Sequence, residues 1–159
     1  LIMANLTGYS QTFDSDTSVV DTSAKTTILT RAFDSTGNEY IYLKGVASTV
    51  VGSWVNYDET GTTALLPANA IGPVAVAMAI TDSTSEYGWY QIWGVAEAKI
   101  AANCADNGTL GREGADGVCG DGRAAGDQLI GAIAREATTD AAVATVQINY
   151  PYATDALGT

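Results

Sequence analysis

Apolar and polar positions form their clearest pattern in the middle of the chain, between Gly72 and Trp93. A run of small and branched residues, Val74 to Ile80, is followed by six polar residues, Thr81 to Glu86, and then by Tyr87 to Trp93, where aromatic side chains alternate with other residues. This pattern predicts two strands joined by a polar turn. Because each large aromatic side chain buries roughly 150 to 250 Å², we expect this hairpin to organise a small β domain.

A second segment repeats the shape of this hairpin nearer the C-terminus. LIGAIA at 129–134 corresponds to VAVAMA at 74–79, and VQIN at 146–149 corresponds to YQIW at 90–93. Two related hairpins predict an all-β fold, a sandwich or barrel-like domain, although two copies are too few for a solenoid. We expect residues 31–159 to form this single domain.

Shorter strands are expected around the two hairpins. Glu39 to Val46 and Ser53 to Tyr57 precede the first hairpin, and Gly94 to Ala102 continues from it as another strand. Asp58 to Gly61 has the composition of a turn with a positive-φ glycine, and residues 62–70 are predicted to be a loop. Dipeptides typical of tight turns divide the last third of the chain: Asn107-Gly108, Asp116-Gly117 and Asp121-Gly122.

The N-terminal segment has a different composition. Residues 7–30 include eleven Ser or Thr and few large apolar side chains, a composition that rarely compensates for its own ordering entropy. We interpret residues 1–30 as an extended arm, with Tyr9 and Phe13 as anchors onto another subunit. An irregular N-terminal strand on its own domain is the alternative. The opening LIMAN also suggests that translation begins at Met3.

Charge and composition exclude several functional classes. Eighteen acidic and seven basic residues give a net charge of −11, which makes nucleic acid a poor partner. Histidine is absent, so the commonest general base and transition-metal ligand are missing. No apolar run is long enough to span a membrane, and no secretory signal is recognisable. We therefore expect neither catalytic residues, cofactor or metal, nor contact with nucleic acid or membrane.

Aromatic residues and the two cysteines are the remaining candidates. Trp54, Tyr57, Trp89 and Trp93 are expected either to form the core or to mediate self-association, because the central hairpin is apolar on both faces. An exposed row of aromatic rings could equally stack on sugars. Cys104 and Cys119 could close a disulfide loop of about fifteen residues, whereas a protein made in the cytoplasm would keep both thiols reduced.

Three stretches of the chain resemble small virion structural proteins of tailed bacteriophages, particularly capsid decoration or cement proteins encoded beside the major capsid protein. These stretches, within residues 45–152, are WVNYDETG, GPVAVAMAITDSTSEYGWYQIWGVAEAKI and GDQLIGAIAREATTDAAVATVQINYPY. They are strand and turn sequences without a chemical signature, so the likeness identifies no contact residue individually.

This resemblance implies a β-sandwich or barrel-like domain on the outer surface of the virion capsid. Such a protein would act as a homotrimer and stabilise the shell by clamping neighbouring major capsid subunits. The N-terminal arm would contact the capsid, with Tyr9 and Phe13 as candidate contact residues. A carbohydrate-binding or tail-fibre module that uses exposed aromatic side chains is the alternative function.

Overall fold

The computed structural model describes residues 16–155, and these residues form ten β-strands and no helix. The all-β prediction is therefore confirmed. None of the described residues forms a helix suited to crossing a bilayer. In chain order the strands are β1 (Arg31–Phe33), β2 (Glu39–Lys44), β3 (Trp54–Tyr57), β4 (Thr63–Leu65), β5 (Gly72–Ala77), β6 (Tyr87–Ile100), β7 (Thr109–Arg112), β8 (Cys119–Gly120), β9 (Gln128–Ala134) and β10 (Ala142–Thr154).

All ten strands belong to one sheet, which curls into two barrel-like rings that share β6. The C-terminal half of β6 pairs antiparallel with β10, and β9, β7 and β8 complete one ring back to β6. The N-terminal half of β6 pairs with β2 and β5, and β3 and β4 complete the other ring. A bridge between Lys44 and Thr62 closes this second ring.

Both predicted hairpins are present. β5 pairs antiparallel with β6 through Val76 and Gln91, and β9 pairs with β10 along most of its length. The strand predicted from Gly94 is not separate, because β6 runs without interruption from Tyr87 to Ile100. The prediction of a loop over residues 62–70 was wrong in part, since β4 returns from the Asp58 turn to pair with β3.

Burial follows the predicted alternation along β6. Tyr90 and Ile92 lie in one core with residues of β2, β3 and β5, whereas Trp89 packs on the opposite face beside Tyr42. Beyond Trp93 the strand is buried only at every second residue, and Ala96 belongs to the larger core inside the β6–β10 ring. The first half of β6 is thus covered on both faces, and the second half presents an outer face to solvent.

Two hairpin turns share the sequence pattern Asp-x-Thr-Gly and one hydrogen-bond pattern. DSTGN at 34–38 joins β1 to β2, and DETGT at 58–62 joins β3 to β4. In each turn an Asp carboxylate accepts hydrogen bonds from the backbone and hydroxyl of the Thr two residues later. Gly61 adopts a φ of 72°, as predicted for that turn. An Asp at the first turn position fixes the reversal because its side chain replaces missing backbone partners.

Part of the predicted arm lies within the described structure. Asp21 and Tyr87 exchange two backbone hydrogen bonds, of 2.9 and 2.8 Å. The Tyr42 hydroxyl donates to the Asp21 carboxylate at 2.6 Å and accepts from the Lys25 backbone N–H at 3.2 Å. Residues 16–30 therefore contact the β domain. Tyr9 and Phe13 lie outside the described residues.

Candidate aromatic surface site

An outward-facing cluster of large apolar side chains lies where the two rings meet. Trp93, Ile130, Tyr150 and Tyr152 have 38, 58, 48 and 44% of their surface exposed, respectively. The Trp93 and Tyr150 rings are 5.1 Å apart, and Tyr152 is directly opposite Ile130 on the neighbouring strand. We call these four residues the aromatic face. Contiguous exposed apolar surface of this kind is typical of interaction sites.

An irregularity in β10 places two tyrosines on this face. From Ala144 to Ile148 the even-numbered residues are buried, but from Pro151 onward the buried residues are odd-numbered. The pairing with β9 shifts register between Ile148 and Tyr152, and Tyr150 adopts a φ of 44°. Bulges of this type commonly redirect side chains. Without the shift, even-numbered Tyr150 and Tyr152 would point into the core.

Gly131 lies opposite the bulge and permits it. Its φ is 79°, and a Cβ at this position would collide with the carbonyl oxygen of Asn149. Glycine accepts this conformation without strain and leaves room for the partner backbone. The aromatic face is therefore built on paired strands rather than on a loop.

A buried carboxylate anchors one edge of the face. Glu39 is only 2% exposed, and Arg31 Nη1 lies 3.3 Å from its Oε1 while the Tyr150 hydroxyl donates to its Oε2. The guanidinium of Arg31 also lies over the Tyr150 ring, 5.6 Å from the centroid. The hydrogen bond to Glu39 is the main cause that raises the pKa of Tyr150, followed by burial. This network holds the Tyr150 ring in its orientation.

A groove adjoins the face on the side of Arg31. It has a volume of about 750 Å³ and is lined by Arg31, Tyr57 and Pro73 together with residues of β2 and β4. A smaller cleft of about 330 Å³ shares these three residues and extends to Tyr150 and Tyr152. Burial raises the pKa of Tyr57, and the Arg31 charge opposes that shift. The cleft therefore connects Tyr150 and Tyr152 of the aromatic face to the groove.

The four predicted aromatic candidates are not all in this region. Trp54 is fully buried and donates its indole N–H to the Lys99 carbonyl at 3.0 Å, and Trp89 is 5% exposed. Both are core residues. Tyr57 is half-buried in the groove, and Trp93 belongs to the aromatic face. Sequence reasoning missed Tyr150 and Tyr152, whose only signal was the aromatic pair in NYPY.

Cys104 and Cys119 are buried free thiols. Burial raises the pKa of both thiols, that of Cys119 well above its usual value. The sequence left open either a disulfide or two reduced thiols, and in the structure Cys104 and Cys119 are both reduced. Desolvated thiols are poor nucleophiles, so this geometry gives no sign of a reactive cysteine.

Several titratable side chains line the groove, among them Arg31, Tyr57, Asp58 and Glu59. Among residues 16–155, no group of three or more His, Cys, Asp or Glu side chains could hold a metal ion. The carboxylates at the groove rim, Asp58 and Glu59, are exposed. Hydrogen bonds from Thr60 and Thr62 within the turn lower the pKa of Asp58.

Comparison with known proteins gave no match: no family model fits the chain, and neither a curated protein nor a solved structure is similar to it. The bacteriophage family expected from sequence likeness therefore stays a prediction.

Proposed function

We propose that this protein is a virion structural protein that decorates the outside of a tailed-phage capsid. It stabilises the shell by non-covalent clamping of major capsid subunits and acts as a homotrimer. The observation that carries the proposal is the aromatic face, an exposed apolar surface held on paired strands by a bulge and by the contacts of Arg31 and Tyr150 with the buried Glu39 carboxylate. Adhesion is the activity that such a surface supports.

Rigidity makes the face suitable for binding a fixed lattice. Trp93 and Tyr150 contact each other, and Tyr150 is tied to Glu39, so little side-chain entropy remains to be lost on binding. Aromatic side chains in such positions dominate binding energy at protein interfaces. A standard-sized contact buries roughly 800 Å² per partner, and a trimer that engages several capsid subunits gains further through multivalency.

Charge supports an external location. A net charge of −11 keeps the unassembled protein soluble and repels it from packaged DNA. The aromatic face itself contains no acidic side chain, and the nearest carboxylate, Glu39, is neutralised by Arg31. The acidic charge therefore does not oppose contact at this face.

A carbohydrate-binding function is the second candidate, because three aromatic rings of the aromatic face are partly exposed and the Arg31 guanidinium lies over one of them, Tyr150. Trp93, Tyr150 and Tyr152 could stack on sugar rings, and Arg31 could donate to hydroxyl groups. Trp89 has no part in this alternative, since it is buried.

Co-sedimentation tests the proposal and separates the two candidates. Purified protein is mixed with emptied heads of the phage that encodes it, and the heads are sedimented. The same assay is run on a double variant, Trp93→Ala with Tyr152→Ser, and on the control variant Val143→Ser. Val143 is a matched control, because it is 51% exposed on β10 but outside the aromatic face. We expect wild type and Val143→Ser to sediment with the heads and the double variant to remain in solution. Head binding that is unaffected by the double variant, or glycan binding that requires these rings, would contradict the proposal.

A further inference from the structure

A second cluster of exposed apolar side chains lies beside the start of β3. Val50 and Val51 are exposed in the turn that precedes β3, and Ile80 is exposed in the segment that follows β5. Thr49 and Thr81 form an antiparallel bridge with two backbone hydrogen bonds of 3.2 Å, which places Val50 next to Ile80. We call Val50, Val51 and Ile80 the apolar tip.

Hydrogen bonds attach the apolar tip to two neighbouring strands. Within the turn, the Ser53 N–H donates to the Val50 carbonyl at 3.0 Å, and the Val50 N–H donates to Ser53 Oγ at 3.1 Å. Gly52 donates to the Ala77 carbonyl of β5 and accepts from the Lys99 N–H of β6, both at 2.8 Å. Because the turn is already held in place, less chain has to be ordered when the tip is buried against a partner.

The groove lies at the other end of the same two strands. β3 and β5 pair antiparallel, with Val55 opposite Ala75. The apolar tip precedes β3 and follows β5, whereas residues 56–59 at the end of β3 and residues 71–73 at the start of β5 line the groove. The tip and the groove are therefore separate surfaces at opposite ends of the β3–β5 pair.

Apolar side chains in the groove can receive the apolar tip. Leu29 and Ile71 are exposed in its wall, and Pro73 lines it as well. The groove volume of about 750 Å³ is in the range of pockets that bury a drug-sized ligand, which is enough for a few aliphatic side chains. Burial of apolar area is the dominant favourable term in most protein associations.

Each of the two surfaces also carries a basic and an acidic group. Lys99 adjoins the tip through its bond to the turn, and the exposed Asp82 follows the tip in sequence. At the groove, Glu59 is exposed on the rim and Arg31 lies in the wall. The other rim carboxylate, Asp58, accepts hydrogen bonds within its own turn. The tip of one copy can thus meet the groove of another with opposite charges facing each other, which fixes partner and register.

We propose that copies of this chain associate head to tail, with the apolar tip of one copy inserted into the groove of the next. The inference rests on the proposed homotrimer and names the contact between its copies. An apolar protrusion and a complementary recess elsewhere on the same chain make a heterologous contact, which forms a closed ring when the rotation between copies permits it. In a ring of three copies every tip and every groove is occupied, and the contact does not use the aromatic face.

Light scattering on the full chain separates this contact from the proposed function. The double variant Val51→Ser with Ile80→Ser is compared with wild type and with Ile130→Ser, a matched control because Ile80 and Ile130 are both 58% exposed. We expect the mass of three chains for wild type and for Ile130→Ser, and the mass of one chain for the double variant. A wild type with the mass of one chain would overturn both the homotrimer and this contact. A folded double variant that is still trimeric would overturn this contact alone.

Disulfide trapping tests the head-to-tail arrangement with different variants. Val51→Cys with Ile71→Cys places one thiol at the tip and one in the groove, and Val51→Cys alone is the control. The native thiols, Cys104 and Cys119, are buried. We expect mild oxidation to link the double variant into covalent trimers and to leave the control unlinked. Linkage of Val51→Cys alone would mean that tips meet each other, and products larger than trimers would mean an open chain. Either result, or the absence of linkage in the double variant, would overturn the proposal.

Discussion

The hydroxyl of Tyr150, on the solvent side of the domain, donates a hydrogen bond to the buried carboxylate of Glu39. These residues are 111 positions apart in sequence, so the bond ties β10 to β2 at the point where the aromatic face begins. The same carboxylate pairs with Arg31. Stability and the proposed binding surface therefore depend on one charge network.

Tyr150→Phe should destabilise the domain by about 1–3 kcal/mol, because it leaves one oxygen of a buried carboxylate without its donor. Tyr152→Phe is the matched control, because Tyr152 is a similarly exposed tyrosine on the same strand. Urea unfolding measures both variants. Equal stability of the two variants would show that the bond to Glu39 contributes little.

Asp34→Asn should reduce stability at neutral pH and have a smaller effect in acid. Burial alone would raise the pKa of Asp34, but hydrogen bonds from Thr36, Asn38 and Tyr40 outweigh it and lower the pKa below its ordinary value of 3.8. A depressed pKa means that the carboxylate stabilises the fold above that ordinary value, and that this contribution is lost as pH falls toward the folded-state pKa.

Thermal unfolding of Asp34→Asn and wild type across pH 2 to 7 measures this difference. We expect a loss of about 1–3 kcal/mol at pH 7, since the hydrogen bonds involve a charged acceptor, and a difference that begins to shrink only below about pH 4 and narrows further as the pH falls to 2. Asp140→Asn removes an exposed charge as the control. A difference between Asp34→Asn and wild type that is independent of pH would contradict the role assigned to the turn.

Tyr42→Phe should loosen the segment before β1. Burial first, and then the hydrogen bond to Asp21, raise the pKa of Tyr42 to about 12, so the neutral hydroxyl is favoured in the folded state. The hydroxyl contacts both Asp21 and Lys25. Trypsin should therefore cleave after Lys25 about ten-fold faster in the variant than in wild type, as expected for a local loss near 1.4 kcal/mol.

Alkaline titration provides a second measurement of the same interaction. Because the folded-state pKa of Tyr42 is raised, its stabilising contribution is complete below the unfolded value near 10 and is lost as pH approaches 12. Wild type should lose more stability over this window than Tyr42→Phe does. An unchanged cleavage rate after Lys25 would mean that other contacts hold the segment in place.

Native protein should react slowly with thiol reagents and should yield two free thiols on unfolding. Cys104 and Cys119 are both buried, and burial raises the pKa of each. Cys104 should react before Cys119, because desolvation raises the pKa of Cys119 more strongly. A mass lower by two hydrogens in non-reduced peptides that contain both cysteines would reveal a bridge instead.

The fold was predictable where local pattern determines structure. Alternation along Tyr87 to Trp93 predicted a strand that is apolar on both faces, as β6 is there, and the Asp58 turn predicted the positive φ of Gly61. β4 was missed because Thr63-Ala64-Leu65 is too short to show a period. Its identity as a strand depends on the preceding turn and on pairing with β3.

The candidate site was harder to predict, because it depends on a register shift rather than on composition. A strict two-residue period through NYPY places Tyr150 inside the domain, whereas the bulge opposite Gly131 turns it outward. The Arg31, Glu39 and Tyr150 network joins strands far apart in sequence. Closure of two rings through β6 likewise arises from long-range pairing that local pattern does not encode.

Cryo-electron microscopy of emptied heads saturated with the purified protein tests the central claim most directly. We predict additional density on the outer surface over contacts between major capsid subunits, with three copies of the β domain around each site and Trp93, Tyr150 and Tyr152 at the interface. Heads that show no additional density after incubation, or density attached through a surface remote from these three residues, would contradict the claim.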